Sequence, residues 1–201
     1  MIVKVCGITT KETARVVEAS GADFIGFVFA PSKREISPAD AKEIAKGLSP
    51  QIKKVGVFVN ESVDRIIEIA DLVGLDFIQL HGDEPDTIAN SIPYPIIKAF
   101  VIDQVDVNSI KNYPCDYILI DSPGKKYRGG SGETFHWGRL DELGIDKDKL
   151  ILAGGLSPEN IQEAIITVKP VGVDVSSGVE TNGIKDHHKI NYFVENVRKS
   201  C

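Results

Sequence analysis

Eight short apolar segments rich in β-branched residues alternate with charged, amphipathic segments along this chain. Their shortness and their Val, Ile and Phe content are typical of buried strands. The predicted strands are Ile2–Cys6, Phe24–Phe29, Lys54–Val59, Phe77–Leu80, Ile96–Val101, Tyr117–Ile120, Leu150–Ala153 and Val171–Val175. Buried strands that alternate with helices predict a parallel sheet, and eight is the number of strands that closes into a (β/α)8 TIM barrel.

The segments between the strands carry the start signals of helices. Thr10 comes directly before one amphipathic segment, and Ser37 with Pro38 opens the next, with proline at the first helical position. The predicted helices are Lys11–Ala19, Ala39–Gly47, Val63–Leu72, Asn160–Val168 and Asp186–Val197. The connection after strand 5 has room for a short helix within residues 103–113, and the helical pattern at 139–143 is weak. We therefore expect a compact α/β barrel with short or degenerate helices after strands 5 and 6.

A doubly wound open sheet is the alternative fold. Such a sheet usually has fewer strands, and the GxGxxG phosphate fingerprint expected after its first strand is absent. No linker or shift in composition divides the 201 residues. The sequence therefore predicts one domain over residues 1–201.

The composition argues against several classes of function. Hydrophobic residues make up 42% of the chain and charged residues 26%, as in ordinary soluble globular proteins. The formal net charge is −6 and there is no long run of Lys or Arg, which argues against nucleic-acid binding. No apolar segment approaches the length of a membrane span. A small anionic ligand stays compatible with this charge, because a few local cations can outweigh it.

The three cysteines, Cys6, Cys115 and Cys201, fit neither a zinc site nor a CxxC redox pair. A reducing cytoplasm is the compartment that this pattern predicts. Lys4 and Gly7 interrupt the first apolar residues, so no signal peptide is expected. The four histidines form no metal-ligand motif, and no metal site is expected.

Two reactive side chains follow strands at the end where (β/α)8 barrels carry their active sites. Cys6 ends strand 1 and Asp121 follows strand 6. A cysteine needs a nearby cation to ionise and act as a base, and Lys4 and Lys98 are candidate sources of positive field. A carboxyl group behind an apolar strand is partly desolvated, which raises its pKa and suits it to general acid catalysis. A buried structural Cys6 and a turn-forming or helix-capping Asp121 remain open alternatives.

Clusters of glycine and serine follow strands 6, 7 and 8. Barrels often bind phosphate with the loops after strands 7 and 8, where glycine lets backbone N–H groups approach the phosphate oxygens. Clusters at both of these strands therefore predict a phosphate site. The candidate residues are Gly130, Ser131, Gly132, Gly154, Gly155, Ser176, Ser177 and Gly178.

Two further polar residues lie after strands 2 and 4. Arg34 has the planar guanidinium that holds a carboxylate or phosphate with two hydrogen bonds. It is equally compatible with an exposed loop position, with Glu35 pairing to a basic neighbour. His81 is a candidate for hydrogen bonding to substrate, and a structural histidine is its alternative interpretation.

Several segments, in order along the whole chain, resemble the motifs of the phosphoribosylanthranilate isomerase family of tryptophan biosynthesis. The first and last of them together are the most specific. One departure is His136, where the family more often has aspartate. The matching segments are Lys4–Thr9, Phe27–Arg34, Gln79–Gly82, Ile97–Ala99, Gly130–Gly132, Leu152–Leu156 and Asp174–Glu180.

This resemblance implies a (β/α)8 barrel that converts N-(5-phosphoribosyl)anthranilate to the carboxyphenylamino-deoxyribulose phosphate by an Amadori rearrangement. By motif position, Cys6 corresponds to the family's general base and Asp121 to its general acid. Arg34 corresponds to the residue that meets the anthranilate carboxylate, and His81 and Asp174 are expected to bind substrate. No metal or organic cofactor is implied. The expected partner is a small phosphosugar, and the chain is expected to act as a monomer or a homodimer.

Two other functions stay open on the sequence. An aminoaldose isomerase of histidine biosynthesis would perform the same rearrangement on a substrate with two phosphates, and we would expect aspartate in place of Cys6. A catalytically inactive barrel kept as a binding protein is the other alternative. The pairing of Cys6 with Asp121 argues against it.

Strand alternation also predicts a buried ion pair. Lys4 shares the inward face of strand 1 with Cys6, and Asp174 points inward from strand 8. Since a buried ammonium needs a partner, we expect Lys4 and Asp174 to meet where strands 1 and 8 close the barrel. The alternative is that Lys4 reaches the bottom rim of the barrel and Asp174 serves substrate alone.

Overall fold

The computed structural model describes residues 1–101, 107–121, 137, 140 and 144–200 of the chain. Eight parallel strands pair in chain order, and the eighth pairs with the first to close a barrel. The strands are β1 (Ile2–Cys6), β2 (Phe24–Val28), β3 (Lys53–Phe58), β4 (Phe77–Leu80), β5 (Ile96–Val101), β6 (Tyr117–Asp121), β7 (Leu150–Ala153) and β8 (Gly172–Val175). The predicted barrel is therefore confirmed over the open sheet, and each strand boundary lies next to the predicted one or coincides with it.

Helices connect the strands on the outside of the barrel. The predicted caps are present: Thr10 Oγ1 accepts from the Thr13 N–H at 3.2 Å, and Ser37 Oγ accepts from the Asp40 N–H at 3.1 Å. None of the described helices has the length and apolar character needed to cross a membrane. The helices are α1 (Lys11–Ala19), α2 (Pro38–Ala45), α3 (Val63–Val73), α4 (Asp86–Ser91), α5 (Val107–Asn112), α6 (Ile161–Val168) and α7 (His187–Arg198).

Two elements differ from the sequence prediction. Helix α4 was not predicted, because its six residues bury only Ala89 and show no helical period. The hairpin of β9 (Glu180–Thr181) and β10 (Ile184–Lys185), between β8 and α7, was also missed, because each of its strands has two residues. The short helix expected after strand 5 is present as α5. The weak helical segment expected at 139–143 lies outside the described residues apart from Leu140.

Inward-facing side chains fill the barrel in layers. At the amino-terminal end, Phe24, Phe77 and Tyr117 from alternate strands pack together, with ring centroids 5.0 to 6.3 Å apart. Buried Val55 and Ile97 belong to the same apolar cluster inside the barrel. This packing fills the lower part of the barrel, so the polar residues further along the strands face the carboxyl-terminal mouth.

A buried ion pair joins the loops after β3 and β4 to strand β5. Glu84 accepts hydrogen bonds from the backbone N–H groups of Asn60 and Gly82, at 2.8 and 3.0 Å, and from Lys98 Nζ at 2.7 Å. Lys98 also donates to the Gly82 carbonyl at 2.6 Å. Burial opposes ionisation of Glu84, but these hydrogen bonds outweigh it and lower the pKa of the carboxyl group. The loop that begins at His81 is therefore held by the loop after β3 on one side and by β5 on the other.

Glu84→Gln should lower the free energy of unfolding by about 3–5 kcal/mol, because it leaves the Lys98 ammonium buried without its counter-charge. The lowered pKa of Glu84 means that its carboxylate stabilises the fold above pH 4.5, its ordinary value, and loses that effect as pH falls through the lowered folded value. Urea unfolding at several pH values should therefore show a deficit that is full at neutral pH and shrinks in acid. The matched control is Glu68→Gln, which breaks the exposed pair with Arg65 and should cost at most about 0.5 kcal/mol. Equal losses in both variants would contradict a buried, tightly coupled Glu84.

Candidate active site

A cavity of about 360 Å³ opens at the carboxyl ends of the strands. It brings together all but three of the candidate residues, from the ends of six strands. The three exceptions, Gly130, Ser131 and Gly132, lie outside the described residues. The candidate residues that line it are Cys6, Arg34, His81, Asp121, Gly154, Gly155, Asp174, Ser176, Ser177 and Gly178.

The predicted Lys4–Asp174 pair is present below the cavity. The two residues are direct neighbours in the β1–β8 ladder, and Lys4 Nζ donates to Asp174 Oδ2 at 3.0 Å. The Lys4 side chain is 0% exposed, so the alternative in which it reaches the bottom rim is wrong. Burial opposes the charge on Lys4, but Asp174 and Cys6 outweigh it and raise the pKa of the ammonium. Lys4 therefore stays charged at the base of the site.

Cys6 lies at the end of β1, and its surroundings have opposing effects on the pKa of its thiol. Burial raises the pKa of the Cys6 thiol, while the charges of Lys4 and Lys185 act to lower it. Lys98 was the other candidate source of positive field. Its ammonium is bound to Glu84, and Lys185, which the sequence did not single out, lies near the thiol instead.

Gly26 on β2 leaves the space that the Cys6 thiol occupies. The two residues are direct neighbours in the β1–β2 ladder. A Cβ atom at position 26 would lie 2.8 Å from Cys6 Sγ, closer than packed atoms tolerate, and a tight 3.1 Å from Cys6 Cα. Glycine here therefore permits the Cys6 thiol to point into the barrel, a relation that appears only once the strand register is known.

Asp121 ends β6 and faces the same cavity. Burial is the main influence on its carboxyl group and raises its pKa, with Asp174 acting in the same direction and His81 against it. A carboxyl group that holds its proton to higher pH is suited to donate that proton to a substrate oxygen. The direction of this shift agrees with the expectation from the sequence.

His81 follows β4 and is positioned by Gln79, two residues before it. Gln79 is 1% exposed, and its Nε2 lies 2.8 Å from His81 Nδ1. Donation from the amide to Nδ1 leaves the ring proton on Nε2. Burial lowers the pKa of His81, which favours this neutral form. The imidazole is therefore a hydrogen-bond donor at the cavity wall.

Two buried acceptor oxygens at the cavity lack a hydrogen-bond partner among the described residues. They are Gln79 Oε1 and Asp174 Oδ1. A buried acceptor without a donor costs roughly 1–3 kcal/mol. A ligand with hydroxyl groups would supply the missing donors, which fits a sugar.

Arg34 is held by a partner that the sequence did not predict. Its Nε and Nη2 donate to the two carboxylate oxygens of Glu180 at 2.6 and 2.9 Å. Lys185 Nζ donates to the same carboxylate at 2.8 Å. From the sequence, Glu35 was the acidic residue expected to pair with a basic neighbour. The partner of Arg34 is instead Glu180, which lies 146 positions away in the chain. Its place at the end of the last family motif is the one sequence feature that could have drawn attention to it.

The loops after β7 and β8 contact each other beside the cavity. Gly154 and Gly155 have φ values of +82° and +61°, a region in which other residues are strained. A Cβ atom at Gly178 would lie 1.8 Å from the carbonyl oxygen of Leu156. Glycine is therefore needed for the loops to approach, and backbone groups of both face the cavity.

Among the residues that the structure describes, no group of three or more His, Cys, Asp or Glu side chains is arranged to hold a metal ion. The chemistry that the cavity offers is proton transfer. It has a thiol beside cations, a carboxyl group whose pKa is raised, a fixed guanidinium, and glycine loops of the kind that bind phosphate.

Comparisons with known proteins agree with this arrangement. A family model described as N-(5'phosphoribosyl)anthranilate (PRA) isomerase matches residues 3–196. The N-(5'-phosphoribosyl)anthranilate isomerase of Oceanobacillus iheyensis is 54% identical over 200 residues, which cover 99% of this chain and 98% of that protein.

Solved structures give the same result. The phosphoribosyl anthranilate isomerase of Thermotoga maritima has a TM-score of 0.86 and 42% identity, with coverage of 99% of this chain and 100% of that one. A further structure describes monomers generated from that dimeric enzyme. A phosphoribosyl anthranilate isomerase in complex with reduced 1-(o-carboxyphenylamino)-1-deoxyribulose 5-phosphate has a TM-score of 0.83 and 40% identity, with the same coverage.

Fold and site together define a (β/α)8 barrel of the acid–base isomerase class. Within that class, the full-length matches are decisive. This chain belongs to the N-(5'-phosphoribosyl)anthranilate isomerase family.

Lys4→Met should shift ionisation of the Cys6 thiol to higher pH, because the nearest favourable charge is lost. It should also lower the free energy of unfolding by about 3–5 kcal/mol, because Asp174 is left buried without its partner. The pH dependence of Cys6 alkylation by iodoacetamide, followed by peptide mass mapping, measures the first effect.

Lys98→Met is the matched control for this variant. It also breaks a buried ion pair, with Glu84, and should lose comparable stability. It should leave the ionisation of Cys6 unchanged. A similar shift in both variants would show that the effect on the thiol is not specific to Lys4.

Proposed function

We propose that this protein catalyses the isomerisation of N-(5'-phosphoribosyl)anthranilate to 1-(o-carboxyphenylamino)-1-deoxyribulose 5-phosphate in tryptophan biosynthesis. The observation that carries the proposal is that Cys6 beside Lys4, and Asp121 with its raised pKa, face one cavity in a chain matched by the family model over residues 3–196. The related structure that holds the reduced product also supports it.

The proposed reaction begins at Asp121. Its carboxyl proton is transferred to the furanose ring oxygen, and the bond from that oxygen to C1′ breaks to leave an iminium ion. Cys6, as the thiolate, then removes the proton on C2′, which the adjacent iminium makes acidic. The enolamine formed in this way tautomerises to the ketone. Each positioned acid or base contributes a rate factor of roughly 10²–10⁴.

The thiol needs help to ionise, because burial raises its pKa. Lys4 and Lys185 supply fixed positive charge, and the iminium adds a further positive charge once the ring opens. The substrate's own nitrogen serves as the electron sink, so the proposed mechanism uses no metal or organic cofactor.

The remaining residues have binding roles in this proposal. Arg34 meets the anthranilate carboxylate. Asp174 Oδ1 and the neutral His81 bind hydroxyl groups of the open-chain sugar. The phosphate binds to backbone N–H groups of the loops after β6, β7 and β8, so that remote binding energy orients the flexible chain. The phosphate residues assigned to the loop after β6 are Gly130, Ser131 and Gly132.

We further propose that residues 1–201 act as one domain in the cytoplasm, with a small phosphosugar as partner and without nucleic acid or membrane. The family relationship supports a monomer or a homodimer, since the Thermotoga enzyme is described as dimeric. Size-exclusion chromatography with light scattering distinguishes the two states.

Asp121→Asn and Cys6→Ser test the acid and the base. Each should keep the fold and lower kcat by about 10²-fold or more, since asparagine has no proton to give and a serine hydroxyl ionises far less readily than a thiol. The assay follows turnover of substrate generated in situ, with wild-type activity as its reference. If Asp121→Asn raised KM and left kcat unchanged, Asp121 would be a binding residue instead.

Ser177→Glu tests the phosphate site, because it places a negative charge on the loop after β8. Affinity for the reduced product should fall by about tenfold or more, since like charges repel in a partly desolvated site. Ser177→Gln is the control of equal size, and should bind nearly as well as wild type. Gly178→Val is a poorer test, because any Cβ atom there collides with Leu156 and disturbs the loop itself. Unchanged affinity in Ser177→Glu, measured by calorimetry, would place the phosphate elsewhere.

A further inference from the structure

Arg34, Glu180 and Lys185 form one connected cluster at the rim of the cavity. Arg34 binds both oxygens of the Glu180 carboxylate, and Lys185 binds Oε1 of the same group. The Glu180 and Lys185 side chains are 8% and 7% exposed, whereas Arg34 is 32% exposed. The guanidinium is therefore the member of the cluster that reaches the cavity.

An Arg–Glu pair by itself has no net charge. A guanidinium that is already neutralised by a bidentate carboxylate attracts a second carboxylate weakly. With the Lys185 ammonium on the same carboxylate, the three side chains carry a net charge of +1. No hydrogen bond joins Arg34 Nη1 to any part of the chain that the structure describes, so this edge of the guanidinium is available to a ligand.

Lys185 is placed by the hairpin and is itself fully bonded. Glu180 and Lys185 are direct partners in the β9–β10 ladder. The ammonium has three protons, and it makes hydrogen bonds to Glu180 Oε1, to the Ser176 carbonyl at 2.9 Å and to Ser176 Oγ at 3.2 Å. A buried ammonium with its donors used does not bind substrate directly.

Lys189 is a second cation near Glu180, but it binds a different group. Its Nζ donates to the Glu180 backbone carbonyl at 2.8 Å. It therefore makes one hydrogen bond to Glu180 without pairing with the carboxylate. Loss of Lys189 therefore removes a contact with the hairpin but leaves the charge pairing at the Glu180 carboxylate intact, whereas loss of Lys185 removes that pairing.

We propose that Lys185 is a positioning residue that neutralises Glu180, so that Arg34 is held rigidly by this carboxylate and still presents a net positive charge to the carboxylate of the substrate. This inference rests on the proposed function, and it assigns to the β9–β10 hairpin the selection of substrates that bear a carboxylate. Ser176 Oγ also donates to the Cys6 carbonyl at 3.2 Å, so the same lysine is linked to the strand that carries the base.

The test compares two ligands that differ in one group. They are the reduced product, with its o-carboxylate, and the corresponding phenylamino compound that lacks it. Calorimetry gives the affinity of each for the wild type, Lys185→Met, Lys185→Arg and Lys189→Met. Lys185→Met should weaken binding of the carboxylate ligand by about tenfold and change the other ligand little, since the lost charge acts on the carboxylate. Lys185→Arg and Lys189→Met should both retain the wild-type preference for the carboxylate ligand, because each keeps a positive charge on the Glu180 carboxylate.

A double variant separates charge from structure. Glu180→Gln combined with Lys185→Met returns the cluster to a net charge of +1, because both members of the Glu–Lys pair are then neutral. It should recover much of the carboxylate affinity lost in Lys185→Met alone. If Lys185 had only a structural role, the double variant would bind the carboxylate ligand at least as weakly as Lys185→Met. That result would overturn the proposal.

The outcomes also distinguish this inference from the proposed function. If the wild type failed to bind the reduced product and failed to turn over the substrate, the proposed function would be wrong. If the wild type did both, and Lys185→Met weakened the two ligands equally, the inference alone would be wrong. A Lys185→Met protein that does not fold, as judged by circular dichroism, is replaced by the double variant compared with Glu180→Gln. The inference then requires these two proteins to differ in affinity for the carboxylate ligand and to bind the other ligand alike.

Discussion

The buried Lys4–Asp174 pair is the interaction on which the site depends. It lies where the first and last strands meet, so closing the barrel and forming the pair are the same event. An unpaired buried charge would cost several kcal/mol, and the attraction between Lys4 and Asp174 offsets part of the cost of burying both. The pair leaves Lys4 charged beneath Cys6 and leaves one oxygen of Asp174 free of partners among the described residues. The same ion pair therefore joins the first and last strands of the barrel and places positive charge beneath Cys6.

The strands and their inward faces could be predicted from the sequence because both depend on local patterns. Hydrophobic runs located the strands, and alternation along β1 and β8 was enough to predict the Lys4–Asp174 pair. Elements without a local pattern were missed, such as the six-residue helix α4 and the two-residue strands of the hairpin. Long-range pairs that strand alternation does not determine, such as Arg34 with Glu180, were missed as well. Charge alone does not say which partner lies near, nor whether Lys98 or Lys185 lies near Cys6. The relation of Gly26 to the thiol needed the strand register.

The charge near the cavity is opposite in sign to the net charge of the molecule. The chain has a formal net charge of −6, yet Lys4, Arg34 and Lys185 lie around the site. Each of these cations is bound to a carboxylate, Asp174 or Glu180, so the five side chains together carry a net charge of +1. Field from such fixed, partly buried charges is screened weakly by salt, in contrast with charges on the surface. A local positive site on an acidic protein is the result, and it suits a substrate with a phosphate and a carboxylate.

Desolvation acts in the same direction on the Cys6 thiol and the Asp121 carboxyl, raising the pKa of each. Without other influences, both groups would hold their protons to higher pH than usual. The charges around the two groups differ. Positive charge from Lys4 and Lys185 acts on the thiol, whereas Asp121 faces Asp174, which raises its pKa further, and a histidine that burial keeps neutral. The lysines belong to β1 and the β9–β10 hairpin, and their charge offsets part of the effect of burial on the thiol, whereas the carboxylate of Asp174 adds to the effect of burial on Asp121.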